Sequence, residues 1–419
     1  MKPRWPSFTR KVDSPQRKGL RISIYEGLPA VALGNLIGGP FVTAYLLHLG
    51  ASSGEIGIVA AIPPLANIVQ ILVAFYMQKL NNRKMALLFT AGSHRVVWLL
   101  TGFIPFFLPK ELWVTAYVFI FFLSFSLASA SGVIFSSLIA DMVPPQIRGR
   151  YFGIRNTIHW AAGSLALLAS GYLLEWYPGD RGFVISYAIS ALLVAWNIWG
   201  LLHYPNPPFE KSQEPSKGAM LMKPMRDDVY MKAVLFISAW VLLQNIVTPL
   251  FNFVWLDILH MSYKTVTVLT TVQTIVMMVS YYIWGNFNAR YSTQTLLLIS
   301  FPIIAASCLV WAGIAVFPLF AVMLAVNVLL GIGMGGFGML AFNFIIGDTP
   351  KSDRPMYIAV YSALTGVAGF IGPIFGGYVF VWMKPLPDWV SRYGFTVAIG
   401  ALLVLLVALF GRRSFRLPK

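Results

Sequence analysis

The stretch Asp141-Met-Val-Pro-Pro-Gln-Ile-Arg-Gly-Arg-Tyr-Phe-Gly-Ile-Arg-Asn156 is a short, basic, proline-broken turn between two long apolar segments. A related turn occupies residues 348–357. Seven identical residues match at a constant shift of 206: Arg148 with Arg354, Tyr151 with Tyr357, Ala162 with Ala368, Gly163 with Gly369, Gly171 with Gly377, Tyr172 with Tyr378 and Trp176 with Trp382. Matches at one offset without a gap indicate that the chain is one unit made twice.

A second set of matches lies at the beginning of each unit, at an offset of 210 residues. Val31, Leu33, Asn35, Phe41, Leu46, Leu49 and Ser52 recur as Val241, Leu243, Asn245, Phe251, Leu256, Leu259 and Ser262. The two offsets agree to within four residues. The repeat therefore extends over most of each half of the chain.

The composition is that of a membrane protein. Of the 419 residues, 58% are hydrophobic and only 11% are charged, and the mean hydropathy is +0.72. A soluble domain has roughly 25% charged residues. Runs of eighteen or more apolar residues recur along the chain, and segments of this length cross a bilayer as helices that satisfy their own backbone hydrogen bonds. The sequence predicts an all-α protein whose surroundings are the lipid bilayer.

Twelve spans are predicted, six on each side of a polar, proline-rich linker. They cover residues 22–49, 54–77, 85–107, 112–140, 151–175, 183–203, 232–257, 265–287, 295–316, 319–347, 356–382 and 391–411. Since six is even, both units have the same orientation and form parallel repeats. The predicted domains are an N-terminal segment (1–21), a bundle (22–203), the linker (204–231), a second bundle (232–411) and a tail (412–419).

Lysine and arginine are concentrated on one side of the predicted membrane. Of 31 such residues, 24 lie in the N-terminal segment, the turns on that side, the linker and the tail. By the positive-inside rule, both termini and the linker are cytoplasmic and the protein lies in the cell membrane. The net charge of +16 is therefore a signal of topology, and it does not indicate nucleic-acid binding. Only five lie on the other side: Lys110, Arg181, Lys264, Lys384 and Arg392.

The two six-span halves, the linker and the basic turns after spans 2, 4, 8 and 10 resemble the major facilitator superfamily. The family's turn G-x-L-A-D-R-x-G-R-R/K is matched best by Gly285-Asn-Phe-Asn-Ala-Arg290-Tyr-Ser, whereas the turn after span 2 keeps only the basic pair Arg83-Lys84. Both copies lack the aspartate. The turn from Asp141 to Arg150 is similar to the family's acidic-P-x-x-R-G-R element. The resemblance implies alternating access, in which two bundles rock about a site near the midplane.

The same turns predict a cytoplasmic gate. In this interpretation Asp141 has Arg83 and Arg148 as charge partners, and Arg290 and Arg354 are further gate candidates. The alternative is that these residues only satisfy the positive-inside rule, because a sequence pattern by itself does not show coupling.

Ionisable residues inside the spans are the first candidates for substrate binding or proton coupling, since they are costly in lipid. Arg95, about eleven residues into span 3, either holds an anion or a coupling carboxylate, or forms a structural ion pair. Glu26, predicted near the first turn of span 1, either carries a proton or pairs with a basic neighbour such as Arg155. His159 either titrates near neutral pH or bonds a neighbouring group. Asp257 lies near the outer end of span 7.

Uncharged polar and aromatic residues form a second group of candidates. Asn35 and Asn245 occupy matching positions on spans 1 and 7, where they either line a cavity or hold helices together. Trp255 and other aromatic residues either line an apolar cavity or face lipid.

Two glycine-rich stretches are predicted to serve packing. Residues 331–336 spell G-x-G-x-x-G, but they follow no strand and lie inside a span, so nucleotide binding is not expected. Residues 366–377 resemble the glycine-proline motif of drug antiporters in the superfamily, but on span 11 instead of span 5. Span 4 also lacks the arginine of those antiporters. These departures argue against a simple drug/proton antiporter.

The predicted function is secondary transport of a small organic solute, with proton-coupled export preferred. Arg95, Glu26, Arg155 and His159 all lie in the first half, and this asymmetry between the halves favours coupled transport. The alternative is uptake or facilitated diffusion of a small anion. A membrane enzyme or a scaffold is a remote possibility, since no H-E-x-x-H or G-x-S-x-G motif is present. One cysteine, Cys308, excludes an internal disulfide. We expect a monomer with no cofactor, no metal and no nucleic-acid partner.

Overall fold

The computed structural model describes residues 15–248, 251, 254–261, 263–347, 349–383 and 386–415. Within these ranges there are only helices, turns and loops. Eleven helices are long and apolar enough to cross a membrane, and a bent pair at the beginning brings the number to twelve if the pair is one span. The predicted all-α class and the number of spans are therefore confirmed.

We number the twelve spans α1 to α12. In the first half, α1 is the bent pair Pro15–Leu36 and Pro40–His48, α2 is Ser53–Ala66 with Val69–Met77, α3 is Arg83–Leu100 with a short continuation at Ile104–Phe107, α4 is Trp113–Met142, α5 is Arg148–Trp176 and α6 is Asp180–Leu202. In the second half, α7 is Asp228–Val247, α8 is Tyr263–Asn288, α9 is Thr293–Val310, α10 is Leu319–Gly347, α11 is Arg354–Met383 and α12 is Phe395–Leu406. The linker contains one helix, Lys217–Arg226.

Polar side chains mark where several helices begin. Ser52 and Glu55 form a reciprocal capping box at the start of α2, as their spacing in the sequence predicts. Asn82 accepts a bond from a backbone N–H of α3, and Asp227 does the same for α7. Each cap satisfies a donor that has no partner within its helix, and each is worth about 1 kcal/mol.

The first span begins earlier than predicted and contains a bend. It begins at Pro15, seven residues before the predicted start at residue 22. Long basic side chains let a helix extend past the hydrocarbon region, because their charged ends reach the interface. The helix then bends by 44° between Leu36 and Pro40. Gly39 at this break has a φ of +51°, a conformation that a glycine adopts without a steric penalty.

The packing of the helices repeats in the two halves. Helix α1 packs against α5 and α6, and α7 packs in the same way against α11 and α12. Helix α4 contacts α2 and α3, just as α10 contacts α8 and α9. The halves meet mainly where α5 packs on α8 and α2 packs on α11. This arrangement agrees with the predicted parallel repeat.

Glycines permit the closest helix contacts, including one between the halves. A Cβ atom on Gly153 of α5 would lie 3.0 Å from the Cα atom of Gly285 of α8. In α10, Gly331 packs on α8 and Gly333 packs on α9. The G-x-G-x-x-G stretch therefore serves helix packing, as small residues do in membrane bundles.

Candidate functional site

A cluster of charged side chains joins the two halves on the face that carries the linker, which we call the linker side. Asp141, at the end of α4, lies between two guanidinium groups. Its carboxylate accepts a bond from Arg83 at 2.8 Å and another from Arg354 at 2.5 Å. The arginine side chains are 1% and 5% exposed. Because Arg354 begins α11 in the second half, this ion pair holds the halves together on the linker side.

The linker packs against the same cluster. The Nη2 atom of Arg83 donates to the carbonyl oxygens of Pro207 and Pro208, at 3.2 Å each. The guanidinium group also lies 4.6 Å from the ring centre of Phe209. Arg83 therefore connects Asp141 to the polypeptide that joins the halves.

Further along, the linker contacts both halves at once. The backbone N–H of Ser212 donates to Gln78 at the end of α2, at 2.8 Å, while the Ser212 hydroxyl donates to Asp353 beside α11. Lys223 donates to Asp353 at 2.6 Å and lies 2.7 Å from Glu214. Bonds to these two carboxylates raise the pKa of Lys223 above its usual range. Burial would raise the pKa of Asp353, but its bonds, first that from Lys223, outweigh burial and hold this pKa below its usual value.

The two other predicted gate arginines lie elsewhere. Arg148 faces the end of α10, since a Cβ atom on Gly347 would lie 3.2 Å from its Nη1 atom. The expected pair of Asp141 with Arg148 is not among the ion pairs of the described residues, in which the Asp141 carboxylate pairs with Arg83 and Arg354. Arg290 is exposed and takes part in none of those ion pairs. The predicted gate residues that the structure brings together are Asp141, Arg83 and Arg354.

Two of the predicted site residues, Glu26 and Arg95, meet inside the first half. The carboxylate of Glu26, which is 5% exposed, accepts bonds from Asn197 of α6 at 2.6 Å and from Tyr204 at 3.1 Å. The nearest guanidinium nitrogen of Arg95 is 4.0 Å away. A Cβ atom on Gly200 would lie 2.8 Å from the Cβ atom of Glu26, so only glycine there lets α6 approach α1 this closely.

This arrangement corrects two expectations. Because α1 begins at Pro15, Glu26 lies about three turns into the helix instead of near its first turn. The charged partner of Glu26 is Arg95 of α3, and not Arg155 as the sequence suggested. The guanidinium group of Arg155 lies 5.2 Å from the ring centre of Phe135. His159 is buried, and its Nε2 atom is 3.0 Å from the carbonyl oxygen of Ile24. A carbonyl oxygen only accepts, so this nitrogen carries a proton.

The matched asparagines make matched contacts. Asn35 and Asn245 each donate to the carbonyl oxygen four residues earlier in their own helix, at 2.9 and 2.8 Å. Each packs on a glycine of the neighbouring helix. A Cβ atom on Gly163 of α5 would lie 2.9 Å from the Asn35 amide nitrogen, and one on Gly372 of α11 would lie 2.8 Å from the Asn245 Cβ atom. In this structure both residues serve helix contacts.

The two remaining candidates follow α7, in the short helical segment Val254–Ile258. Trp255 is 2% exposed and stacks on Trp311, with ring centres 6.4 Å apart and nearly parallel planes. It is therefore part of an aromatic core. The side chain of Asp257 lies outside the part of the chain that the structure describes.

A cavity of about 510 Å³ lies in the first half, toward the face opposite the linker, which we call the far side. The lining residues lie in the parts of α1 to α4 that are nearer the far side. The wall includes the glycines at the break of α1, and its other residues are largely apolar or aromatic. A histidine of α3 is the one ionisable residue that lines it. The lining includes Gly34, Gly39, His94, Trp98, Phe121 and Phe125.

Sequence reasoning missed three residues of these sites. His94 is adjacent to Arg95 in the sequence, but its side chain, not that of Arg95, is the one that lines the cavity. Asn197 is a single amide inside an apolar run and could have been found by the rule that polar residues in a span have partners. Tyr204 follows the end of α6, and no signal in the sequence connects it with α1.

Two helical halves that pack as a repeat, with a cavity toward one face and charged contacts across the other, define a membrane transporter. The family model described as Major Facilitator Superfamily matches residues 27–254 and 234–419. The chain therefore belongs to this superfamily, and it is a secondary transporter and not an enzyme.

Similar proteins agree with this assignment. An uncharacterized MFS-type transporter of Bacillus subtilis (strain 168), YfiU, is 26% identical over 141 residues, which cover 34% of this chain and 25% of that protein. The match thus spans only about a quarter of that relative's length.

Solved structures resemble the whole chain. The proton:xylose symporter XylE, bound to 6-bromo-6-deoxy-D-glucose, is 12% identical, with a TM-score of 0.71 and 96% of each chain covered. FucP in the outward conformation is 14% identical, with a TM-score of 0.72, covering 97% of this chain and all of its own. At such low identities the likeness shows the fold alone.

Proposed function

We propose that this transporter exports a small amphipathic organic solute in exchange for protons, by alternating access. One observation carries the proposal. An apolar cavity lies toward the far side, while the Arg354–Asp141 ion pair and the linker hold the halves together on the linker side. For the cavity to reach the linker side, these contacts must break. The ion pair would then be the gate of one state.

The orientation and domains follow the distribution of charge. The linker side would be cytoplasmic, because it carries most of the lysine and arginine residues. Residues 22–203 and 232–411 would be the two moving bundles, and the linker would tie them together. The transporter would act as a monomer, with the small molecule and protons as its partners.

The lining of the cavity supports an amphipathic solute over an anion. Aromatic and aliphatic side chains dominate the wall. Arg95, the residue expected to hold an anion, lies against Glu26 and donates to the carbonyl oxygen of Ala91 at 2.8 Å. A guanidinium group engaged in this way contributes little to an anion site in the cavity.

Glu26 is the proposed proton carrier. It is a buried carboxylate held by two neutral donors, and its guanidinium partner is at the outer limit of an ion pair. A proton on Glu26 would free that guanidinium group, and this would couple the charge of α1 to the position of α3.

The test uses the full chain in liposomes that contain pyranine, a pH-sensitive dye. A panel of amphipathic compounds is applied, and each compound that is transported should move protons in wild type. Glu26→Gln should abolish this proton movement while compound exchange without a gradient continues. Transport without proton movement in wild type would overturn the coupling. Proton movement that persists in Glu26→Gln would overturn the role of that residue.

A further inference from the structure

His94 of α3 is fixed in the cavity wall by contacts with α4. Its Nδ1 atom lies 2.9 Å from the carbonyl oxygen of Ser124 and 2.8 Å from the Ser124 hydroxyl. The ring is 5.7 Å from that of Trp98 and 5.5 Å from that of Phe125, and both of these rings also line the cavity. The imidazole is therefore held in one orientation.

These contacts determine which ring nitrogen carries the proton. The Ser124 hydroxyl donates to the backbone carbonyl of His94 at 3.0 Å, so its single proton is already used. The Ser124 carbonyl oxygen can only accept. Both contacts to Nδ1 are therefore satisfied only if Nδ1 is the donor. In the neutral imidazole, Nε2 then carries a lone pair and no proton.

The Nε2 atom is the part of the ring that remains for a ligand. It has no partner among the hydrogen bonds of the residues that the structure describes. The cavity thus combines aromatic walls with a fixed imidazole acceptor, and it has no lysine or arginine in its lining. A site of this kind selects for a donor and against an anion.

We infer that His94 is a specificity-determining residue, and that the solute has an aromatic or aliphatic body with one O–H or N–H group that donates to Nε2. This inference rests on the proposed function, since it takes the cavity as the transport site. A solute with an ether in place of the hydroxyl would leave the acceptor without a partner. A carboxylate would face the lone pair directly.

The test is a binding measurement on the purified full chain in detergent, with three probes that share one body: 2-naphthol, 2-methoxynaphthalene and 2-naphthoate. Affinities are taken from the concentration dependence of thermal stabilisation. Wild type should bind 2-naphthol about tenfold more tightly than the methyl ether, because the ether leaves the acceptor unpaired, and 2-naphthoate should bind weakest. Because the three probes partition differently into detergent, the free concentration of each is corrected with its partition measured in protein-free detergent.

Two variants separate this role from a structural one. His94→Asn places an amide N–H near the Nδ1 position, so it can keep the bond to Ser124 while removing the acceptor. His94→Gln places an amide at the Nε2 position that can donate or accept, so it should bind both neutral probes similarly. Both variants should lose the preference for 2-naphthol, and the unliganded melting temperature shows whether each is folded.

Several outcomes would overturn the inference. These are equal binding of the two neutral probes to wild type, tightest binding of 2-naphthoate, or an unchanged preference in either folded variant. The binding ratio needs no membrane and no proton gradient. It can therefore fail while proton-coupled transport holds, and it can succeed while the liposome assay fails.

Discussion

Replacing Arg354 with glutamine should favour the state that is open on the linker side. The change removes a charge-assisted bond across the halves, worth about 1.5–3 kcal/mol. The variant does not leave the Asp141 carboxylate as an unpaired buried charge, because Asp141 keeps its bond to Arg83 at 2.8 Å. The larger destabilisation that an unpaired buried charge causes is therefore not expected. As a gate, the bond would exist only when the linker side is closed, so the loss of about 2 kcal/mol should raise the open-to-closed ratio roughly thirtyfold.

Distances between spin labels on the two halves would measure this shift. The labels are attached to cysteines that replace Lys79 and Arg290, which are exposed at the linker-side ends of α2 and α8. The natural Cys308 is too buried to compete for the label. The distance distribution should move to longer values in Arg354→Gln. Lys232→Gln is the matched control, because it loses the same charge from an exposed pair with Asp228. An unchanged distribution in Arg354→Gln, or an equal shift in the control, would refute the reasoning.

Two further predictions concern the interface and the linker. Gly153→Ala should destabilise the protein by about 1–3 kcal/mol, because the new Cβ atom would meet backbone atoms of α8 at 2.7–3.0 Å. Gly171→Ala is the control: its Cβ atom would meet no atom within 4 Å, so the change should be neutral or slightly stabilising. Melting temperatures that fall equally in the two variants would contradict this prediction. The Lys223–Asp353 contact should be independent of pH between about 5 and 9. The depressed pKa of Asp353 means that its contribution is lost only as pH falls below the usual value, and the raised pKa of Lys223 means that its contribution is lost only as pH rises above its usual range. Proteolysis of the linker should therefore be constant across this interval and faster in Asp353→Asn, and a change near pH 7 in wild type would count against the contact.

The sequence predicted the spans and the repeat well, because bilayer thickness sets the length of an apolar run and duplication leaves identities at one offset. It did not predict how each helix is turned about its axis. Arg95 and His94 are adjacent in sequence, yet one lies against Glu26 and the other lines the cavity. Packing between helices decides such orientations, and no local pattern records them. The partner of Asp141 was likewise predicted by charge type, but the choice of Arg354 over Arg148 depends on the contact between the halves.

The break in α1 also bears on hydration. A helix that ends inside a membrane leaves carbonyl oxygens of its last turn without donors from a following turn. The hydroxyl of Ser170 on α5 supplies one such donor, to the carbonyl oxygen of Leu36 at 3.1 Å. Gly34 and Gly39 have open space where a side chain would be, so solvent can approach the exposed backbone there. A solute that enters the aromatic cavity would then have to displace any water bound to this backbone as well as fill an apolar space.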